Sequence, residues 1–299
     1  MPTIEQQEER FAWWLVLPAL GAILLIGVFP LGWTAWESVH LHDLRMPWLG
    51  HPFVGPGNYL EAVRDPRFWS ALRHTMGFTV LSVGMELGIG LGLALAMHQA
   101  FRWRGLFRAA VLVPWAMPTV VSAMLWRFMF EGRNGVVNAS LVSLGILHGS
   151  PEWLLDPVGA WVPVILADVW KHAPFVALLL LAGLQNIDPE LYQAARMDGA
   201  SAWGRFRHIT LPLLRPAIVV ALIFRTLDAF RVFDLIYALT GGGPGSSTEP
   251  LALYTFNALL QNLRFGYGSA LSLIGFGITF LLALLYLRVL GTDLSGRGR

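Results

Sequence analysis

A polar segment interrupts an otherwise apolar chain of 299 residues: positions 192–212 read YQAARMDGASAWGRFRHITLP. Long apolar stretches stand on both sides of it. Hydrophobic residues make up 55% of the sequence and charged residues only 13%, about half the charged share of soluble globular proteins. The sequence therefore predicts an integral membrane protein in which this segment lies outside the bilayer.

The polar segment predicts two short helices joined by a turn. Asp188 is a suitable N-cap and Pro189 a suitable first helical residue, so the first helix is expected to begin there. Gly199 then permits a sharp turn. Ser201 can cap a second helix that reaches about His208, before the chain re-enters the membrane.

Six apolar stretches are long enough to cross about 30 Å of hydrocarbon as helices. The predicted spans are residues 11–36, 76–97, 107–130, 158–184, 213–239 and 269–290. Pro114 and Pro118 are expected to kink the third span. An even number of spans places both termini on one side, and the distribution of Lys and Arg favours the cytoplasmic side. The predicted fold is an all-α integral membrane domain covering residues 1–299.

Composition and motifs exclude several classes of function. The chain has no cysteine, which rules out disulfides, iron–sulfur clusters and thiol nucleophiles. A net charge of +2 gives no support for nucleic-acid binding. No Gly-x-x-x-x-Gly-Lys-Ser/Thr motif occurs, so ATP would have to bind to another polypeptide. The first span follows an acidic leader and is too long for a signal peptide, so we expect it to remain as a helix.

Charged residues recur within the fifth predicted span, at Arg225, Asp228, Arg231 and Asp234. Charge in hydrocarbon is costly unless it pairs or faces water. Two interpretations remain open. The four side chains neutralise each other as a structural ladder of i, i+3 pairs, or the deeper pair, Arg225 and Asp228, faces a polar cavity.

The fourth predicted span carries Asp168 and Lys171 at a similar depth, roughly 20–24 Å from its cytoplasmic end at 1.5 Å per residue. His172 and Phe175 follow on the same span. Charged groups can hydrogen-bond vicinal hydroxyls and an aromatic ring can pack on a sugar ring, so this set is typical of a sugar site. Glu86, in the second span, has no second carboxylate near it in sequence, and a proton-relay role is its less favoured interpretation.

The polar segment resembles the EAA loop of the permease subunits of binding-protein-dependent ABC importers. The matching positions are Gln193, Ala194, Ala195, Gly199, Ile209, Leu211 and Pro212. The resemblance extends over nearly the whole chain and is greatest to the sugar permeases of the maltose and trehalose type. Gln193 stands where the family has Glu, so an acceptor oxygen is kept and a charge is lost.

The resemblance implies a type I ABC importer permease fold with a cytoplasmic coupling helix. Residues 188–210 are the coupling loop, and their implied contacts with the ATPase are made by Gln193, Ala194, Ala195, Arg196, Asp198 and Gly199. The implied substrate cavity is lined by Asp168, Lys171, His172, Phe175, Arg225, Asp228 and Ala229.

The resemblance also implies a set of partners. These are a second permease subunit, two ATPase subunits and an extracytoplasmic sugar-binding protein, assembled in a bacterial plasma membrane with both termini of this chain cytoplasmic. No cofactor is expected on this chain, because ATP and Mg²⁺ belong to the ATPase subunits.

The predicted function is that of a transmembrane subunit, not an enzyme, in an ATP-driven importer for a disaccharide of the trehalose or maltose type. The alternative is an ion-coupled secondary transporter that uses Asp168, Asp228 and Lys171 as a proton relay. An intramembrane enzyme has little support, because the 8 histidines show no metal-ligand spacing in sequence and no catalytic triad stands out.

Overall fold

The computed structural model describes residues 4–99, 101–132, 135–146, 149 and 151–295. Its α-helices up to residue 143 are α1 (Ile4–Ile23), α2 (Phe29–Ser38), α3 (Gly57–Arg64), α4 (Pro66–His98), α5 (Arg104–Ala116), α6 (Thr119–Met129) and α7 (Val136–Ser143). Those that follow are α8 (Trp161–Gln185), α9 (Pro189–Met197), α10 (Ala202–Arg205), α11 (Leu211–Phe230), α12 (Asp234–Leu239), α13 (Leu251–Phe256) and α14 (Phe265–Ser295). Extended pairing in these residues amounts to two isolated bridges.

Among the described residues, five helical segments are long and apolar enough to cross a membrane, and a bent pair of helices is a sixth candidate. They are Phe11–Ser38, Pro66–His98, Trp161–Gln185, Ala202–Phe230, Phe265–Tyr286 and the pair Arg104–Ala116 with Thr119–Met129. The all-α membrane fold with six spans is therefore confirmed. The helix that contains the second predicted span, α4, begins at Pro66, before Met76, because it also includes the polar residues that precede the apolar run.

The third span is sharply bent, as its prolines predict. Its two halves, α5 and α6, meet at an angle of 91°. Met117 and Pro118 form the break, and both have extended backbone with ψ near 140°. Proline disfavours helical geometry in the residue before it and cannot donate to the preceding turn, so the helix ends before Pro118 and restarts after it.

The fifth span differs from its prediction at both ends. The second helix of the coupling loop was predicted to reach about His208, but it continues: a π turn, Phe206–Thr210, joins α10 directly to α11. The wider π turn gives the ring of Pro212 room that a regular helix would deny it. At the other end α11 stops at Phe230, and α12 begins at Asp234 after three non-helical residues.

The described chain forms two compact units, and the prediction of a single domain over residues 1–299 stays a prediction. The first unit is Met1–Phe68 with Thr255–Gly277, and the second is Trp69–Tyr254 with Ile278–Arg299. In the first unit, the segment 39–56 folds back on itself between α2 and α3, and Arg264 forms an ion pair with Glu61 at 2.7 Å.

The second unit has an apolar core where α4, α8 and α11 pack together. Its buried members include Met97, Leu180 and Leu214. A Cβ added to Gly183 would lie 2.6 Å from the Cβ of Ala217, so the absence of a side chain lets α8 and α11 approach closely. This packing holds the charged faces of the three helices at a fixed separation.

Candidate functional site: a coupling loop and a charged cleft

The coupling loop is a helical hairpin whose turns are fixed by its own residues. The side chain of Asp188 accepts a hydrogen bond from the backbone N of Glu190 at 2.9 Å, which caps α9 as predicted. Gly199 has φ +75°, a left-handed conformation that other residues rarely adopt, and it turns the chain. Ser201 then accepts from Gly204 N at 3.1 Å and caps α10.

One hydrogen bond ties the hairpin to the base of the fifth span, and a second one closes the turn of the hairpin itself. Tyr192 on α9 bonds its hydroxyl to Thr210 Oγ1 at 3.0 Å. The guanidinium of Arg205 donates to the carbonyl of Ala200 at 2.6 Å, across the turn. Because α10 continues into α11, a force applied to α9 reaches the fifth span through these contacts and through continuous helix.

A cavity of about 790 Å³ lies beside the hairpin. It is lined by the ends of α4 and α8 and by residues of the loop, including Gln193, Arg196 and Trp203. Gln193, Ala194, Arg196, Asp198 and Gly199 are exposed, whereas Ala195 is half-buried. Trp203 is 67% exposed and stacks on Phe206, so this end of the protein presents an open, partly apolar surface.

A buried ion cluster lies between α4, α8 and α11. The guanidinium of Arg225 donates from Nε and Nη2 to the two carboxylate oxygens of Glu86, at 2.6 and 2.9 Å. It also bonds Asp168 at 3.3 Å and Asp228 at 2.5 Å. The side chains of Arg225, Glu86 and Asp168 are at most 3% exposed. A buried charge needs such partners, so the cluster fixes three helices relative to one another.

The cluster ends at the surface of a cleft. His172 Nδ1 lies 2.9 Å from Asp168 Oδ1, and Asp228 is 55% exposed. Arg231 is 69% exposed and lies 3.8 Å from Asp228. The carboxylate of Asp228 is therefore bonded to buried Arg225 on its inner side and exposed to the cleft on its outer side.

Two cavities share this surface. One, of about 150 Å³, is lined by Asp168, His172, Arg225, Asp228 and Ala229, among others. The second, of about 490 Å³, shares His172, Arg225 and Asp228 with the first. It adds three aromatic side chains: Trp115, Phe175 and Phe224. Trp115 and Phe175 are stacked with their rings 5.9 Å apart. The larger cavity thus combines a flat aromatic wall with hydrogen-bonding groups.

Lys171 has a different environment from the other predicted cavity residues. Its side chain is buried, and Nζ donates to the backbone carbonyl of Met117 at the break of the third span. Met117 has extended backbone between α5 and α6, so its carbonyl lies outside the hydrogen-bond pattern of both helices. Lys171 therefore ties the fourth span to the bend of the third.

Six of the seven residues predicted for the substrate cavity line one or both of these cavities, and Lys171 lies against the third span instead. The sequence did not reveal that Glu86 pairs with Arg225, which lies 139 residues away along the chain. It also missed Trp115, whose aromatic face meets Phe175 only after folding. The i, i+3 ladder exists for Arg225, Asp228 and Arg231, but Asp234 begins the next helix.

A family model for the "Binding-protein-dependent transport system inner membrane component" matches residues 88–291. The chain is 43% identical over 288 residues to a "Trehalose/maltose transport system permease protein MalF" of Thermococcus litoralis, covering 96% of this chain and 95% of that one. It is 38% identical to a "Trehalose transport system permease protein SugA" of Mycobacterium tuberculosis, covering 97% and 91%. A third relative is a "Sulfoquinovosyl glycerol transport system permease protein SmoG" of Agrobacterium fabrum, 39% identical with 96% of both chains covered.

The fold is also similar to that of a solved transporter chain. A bacterial ABC transporter for the acidic polysaccharide alginate superposes with a TM-score of 0.82 at 22% identity, covering 95% of this chain and 96% of that one. These comparisons and the geometry above agree on one class of membrane subunit, which has no catalytic activity of its own. The chain belongs to the family of binding-protein-dependent transport system inner membrane components, and it is a multi-pass permease subunit of an ABC importer for sugars.

Proposed function

We propose that this permease imports a disaccharide of the trehalose or maltose type. The observation that carries the proposal is the 43% identity to a trehalose/maltose permease across 96% of the chain. The 38% identity to a trehalose permease supports the same substrate. Family membership favours ATP-driven import over the ion-coupled alternative, in which Asp168, Asp228 and Lys171 would relay protons.

We assign the sugar contacts to the exposed face of the cleft. Asp228 and His172 can hydrogen-bond hydroxyl groups, and the stacked pair Trp115 and Phe175 offers a flat surface for a sugar ring. Arg225 and Asp168 act from beneath this surface by holding Asp228 and His172 in place. Ala229 contributes a small residue to the smaller cavity, and Lys171 fixes the neighbouring bend.

We assign ATPase binding to the coupling loop. Gln193, Arg196 and Asp198 offer exposed polar groups, and Ala194 and Ala195 keep the helix face smooth enough to fit a groove. The cavity of about 790 Å³ beside α9 gives a partner element room to insert. Nucleotide and Mg²⁺ bind on the ATPase subunits in this proposal, and not on this chain.

In the resulting cycle, closure of two ATPase subunits moves the hairpin and with it the fifth span. The cleft at Asp228 then changes from inward-facing to outward-facing and receives sugar from an extracytoplasmic binding protein. A second, similar permease completes the cavity. This cycle requires the coupling loop, and therefore both termini, to lie on the cytoplasmic side of the plasma membrane.

The substrate assignment is tested by uptake into proteoliposomes that contain the whole importer with its binding protein. We expect ATP-dependent uptake of labelled trehalose or maltose. Sulfoquinovosyl glycerol is the second candidate, because a relative named for it is 39% identical and Arg231 is exposed near the cleft. Uptake of the sulfonated sugar alone would overturn the disaccharide assignment, and uptake driven by a proton gradient without ATP would restore the secondary transporter.

The coupling assignment is tested by cross-linking, for which the natural absence of cysteine is convenient. Ala194→Cys introduces a single thiol on α9, and we expect it to cross-link to the ATPase in native membranes. The matched control is Leu49→Cys, which is exposed in the segment 39–56 and is expected to give no ATPase adduct. Failure of Ala194→Cys to reach any nucleotide-hydrolysing partner would contradict the coupling role.

A further inference from the structure

A second cluster of ionisable side chains lies in the first unit. Glu37 is in the last turn of α2, and His42 and His51 are in the segment 39–56. One ligand atom from each of the three lies within 4.8 Å of the other two. His42 Nδ1 is 2.9 Å from Glu37 Oε2, and the rings of His42 and His51 have centroids only 3.8 Å apart.

The backbone of the segment 39–56 brings the two histidines together. Leu41 N donates to the carbonyl of Pro52 at 2.9 Å, and His40 pairs with Phe53 in an isolated bridge. After the pairs 40/53 and 41/52, residues 42 and 51 are the next two to lie opposite each other, one step closer to the tip of the segment. Because hydrogen bonds of the main chain set this pairing, the imidazoles face each other without help from their own side chains.

The position of His42 is fixed from a second direction. Gly266 N donates to the carbonyl of His42 at 3.1 Å, and Phe265 stacks on its ring at 5.2 Å. A Cβ on residue 266 would lie 2.1 Å from the carbonyl of His40, so this close approach requires glycine. His42 is thus held before any ligand arrives.

Burial and charge favour a cationic ligand at this cluster. The side chain of Glu37 is only 7% exposed, and that of His42 is 19% exposed. A buried carboxylate is stabilised by a nearby cation. A neutral imidazole has one ring nitrogen with a free lone pair, which can bind the same cation. In the cluster of Glu86, Asp168 and His172, which has a similar set of ligand atoms, Arg225 already supplies the positive charge.

We propose that Glu37, His42 and His51 bind a divalent transition metal, with Zn²⁺ as the ion that fits the donor set best. Two imidazoles and one carboxylate with an open fourth position form a known zinc geometry, whereas Ca²⁺ and Mg²⁺ prefer oxygen donors alone. Ligands in a tetrahedron around zinc are about 3.4 Å apart. The atoms of His42 and Glu37, 2.9 Å apart, would separate slightly, and any pair near the 4.8 Å limit would draw together. His51 is exposed, which leaves a path for the ion and for a water ligand. The bound ion fastens the segment 39–56 to the end of the first span.

The experiment measures zinc in the purified importer, prepared without a polyhistidine tag and equilibrated with Zn²⁺ before removal of unbound metal. We expect one Zn²⁺ per copy of this chain, removable by a chelator, and a rise in the thermal unfolding temperature on adding it back. Co²⁺ in its place should give the intense visible bands of tetrahedral coordination. A zinc content near zero, or Co²⁺ spectra of a purely octahedral ion, would overturn the proposal.

His51→Ala is the key variant, because an exposed side chain can be removed without disturbing the fold. We expect its affinity for zinc to fall by about a hundredfold or more, since loss of an outer-shell partner alone costs about 10–100-fold. Glu37→Gln should lose binding as well.

His40→Ala is the matched control on the same segment and should keep one zinc. Equal zinc content in His51→Ala and His40→Ala would contradict the assignment. Sugar specificity does not enter this test, so it can fail independently of the proposed function.

Discussion

The coupling loop and the ion cluster around Arg225 are both rich in charge, but they use it in opposite ways. In the loop, Gln193, Arg196 and Asp198 are exposed, and the hairpin is held by caps and short-range hydrogen bonds. In the cluster, Arg225 is 2% exposed and is surrounded by carboxylates from three helices. The charged side chains of the loop are exposed and can bind a partner, whereas those of the cluster pair with one another and hold the helices together. Asp228 belongs to both classes, because it is paired on one side and exposed on the other.

The largest expected effect tests the structural half of this comparison. Arg225→Ala leaves Glu86 and Asp168 buried without their cation, and breaking a buried pair in this way typically costs about 3–5 kcal/mol of unfolding free energy. Thermal unfolding of the assembled importer should show a large drop in midpoint. Arg231→Ala is the matched control, because its side chain is 69% exposed and should change stability by no more than about 0.5 kcal/mol. Equal midpoints for the two variants would show that the buried cluster does not hold the helices together.

The role of the coupling loop in transport is tested by substituting Gly199. Proline fixes φ near −65° and lacks the N–H that Gly199 donates to the carbonyl of Arg196, so Gly199→Pro should distort the turn at φ +75°. We expect sugar uptake to be lost while the subunit still inserts and assembles. Gly199→Asn is the conservative partner, because asparagine tolerates the left-handed region, and it should retain much of the activity. Normal uptake by the proline variant would remove the hairpin turn from the mechanism.

Asp228 has both kinds of charge environment, because it pairs with buried Arg225 and is itself exposed. Asp228→Ala should lower the initial rate of sugar uptake by about 10- to 150-fold, since hydrogen bonds to charged groups are worth about 1.5–3 kcal/mol. Its thermal midpoint should change little, because the side chain is 55% exposed. Binding of the ATPase subunits serves as the internal control and should be unchanged. A variant that loses stability but keeps uptake would assign Asp228 to the structural cluster.

The smallest effect concerns an ion pair outside the membrane, at Asp43. Hydrogen bonds from the Arg45 guanidinium, at 2.6 and 2.9 Å, hold the pKa of the Asp43 carboxyl below its ordinary value. A depressed pKa contributes stability above the unfolded-state value of about 3.9, and this contribution is lost as the pH falls through the folded pKa. Asp43→Asn should therefore lower the thermal midpoint slightly at pH 7, and the difference from the unsubstituted protein should close as the pH falls below about 4. A difference that is independent of pH would show that the charge of Asp43 does not contribute.

Local chemistry explains which of these features could be predicted from the sequence. The N-caps Asp188 and Ser201, the turn at Gly199 and the break at Pro118 depend on a few neighbouring residues, and all were predicted correctly. The end of α11 at Phe230 was missed, because no proline or glycine marks it and an apolar pattern continues through it. The partner of Arg225 was missed for another reason: Glu86 comes from a helix 139 residues away, and only the packing of α4 against α8 and α11 brings the two together. Periodicity within one span carries no information about such a contact.

The continuity of α10, the π turn and α11 has a mechanical consequence. The helical stretch Ala202–Phe230 contains 29 residues, which at 1.5 Å per residue corresponds to a rod of about 43 Å. A tilt of about 5° around one end of such a rod displaces the other end by roughly 4 Å. A small rocking motion at the base is thereby amplified into a displacement close to the thickness of a pyranose ring at the far end. Inserting flexible glycines into the π turn should uncouple these two motions, so that ATP hydrolysis continues while transport stops.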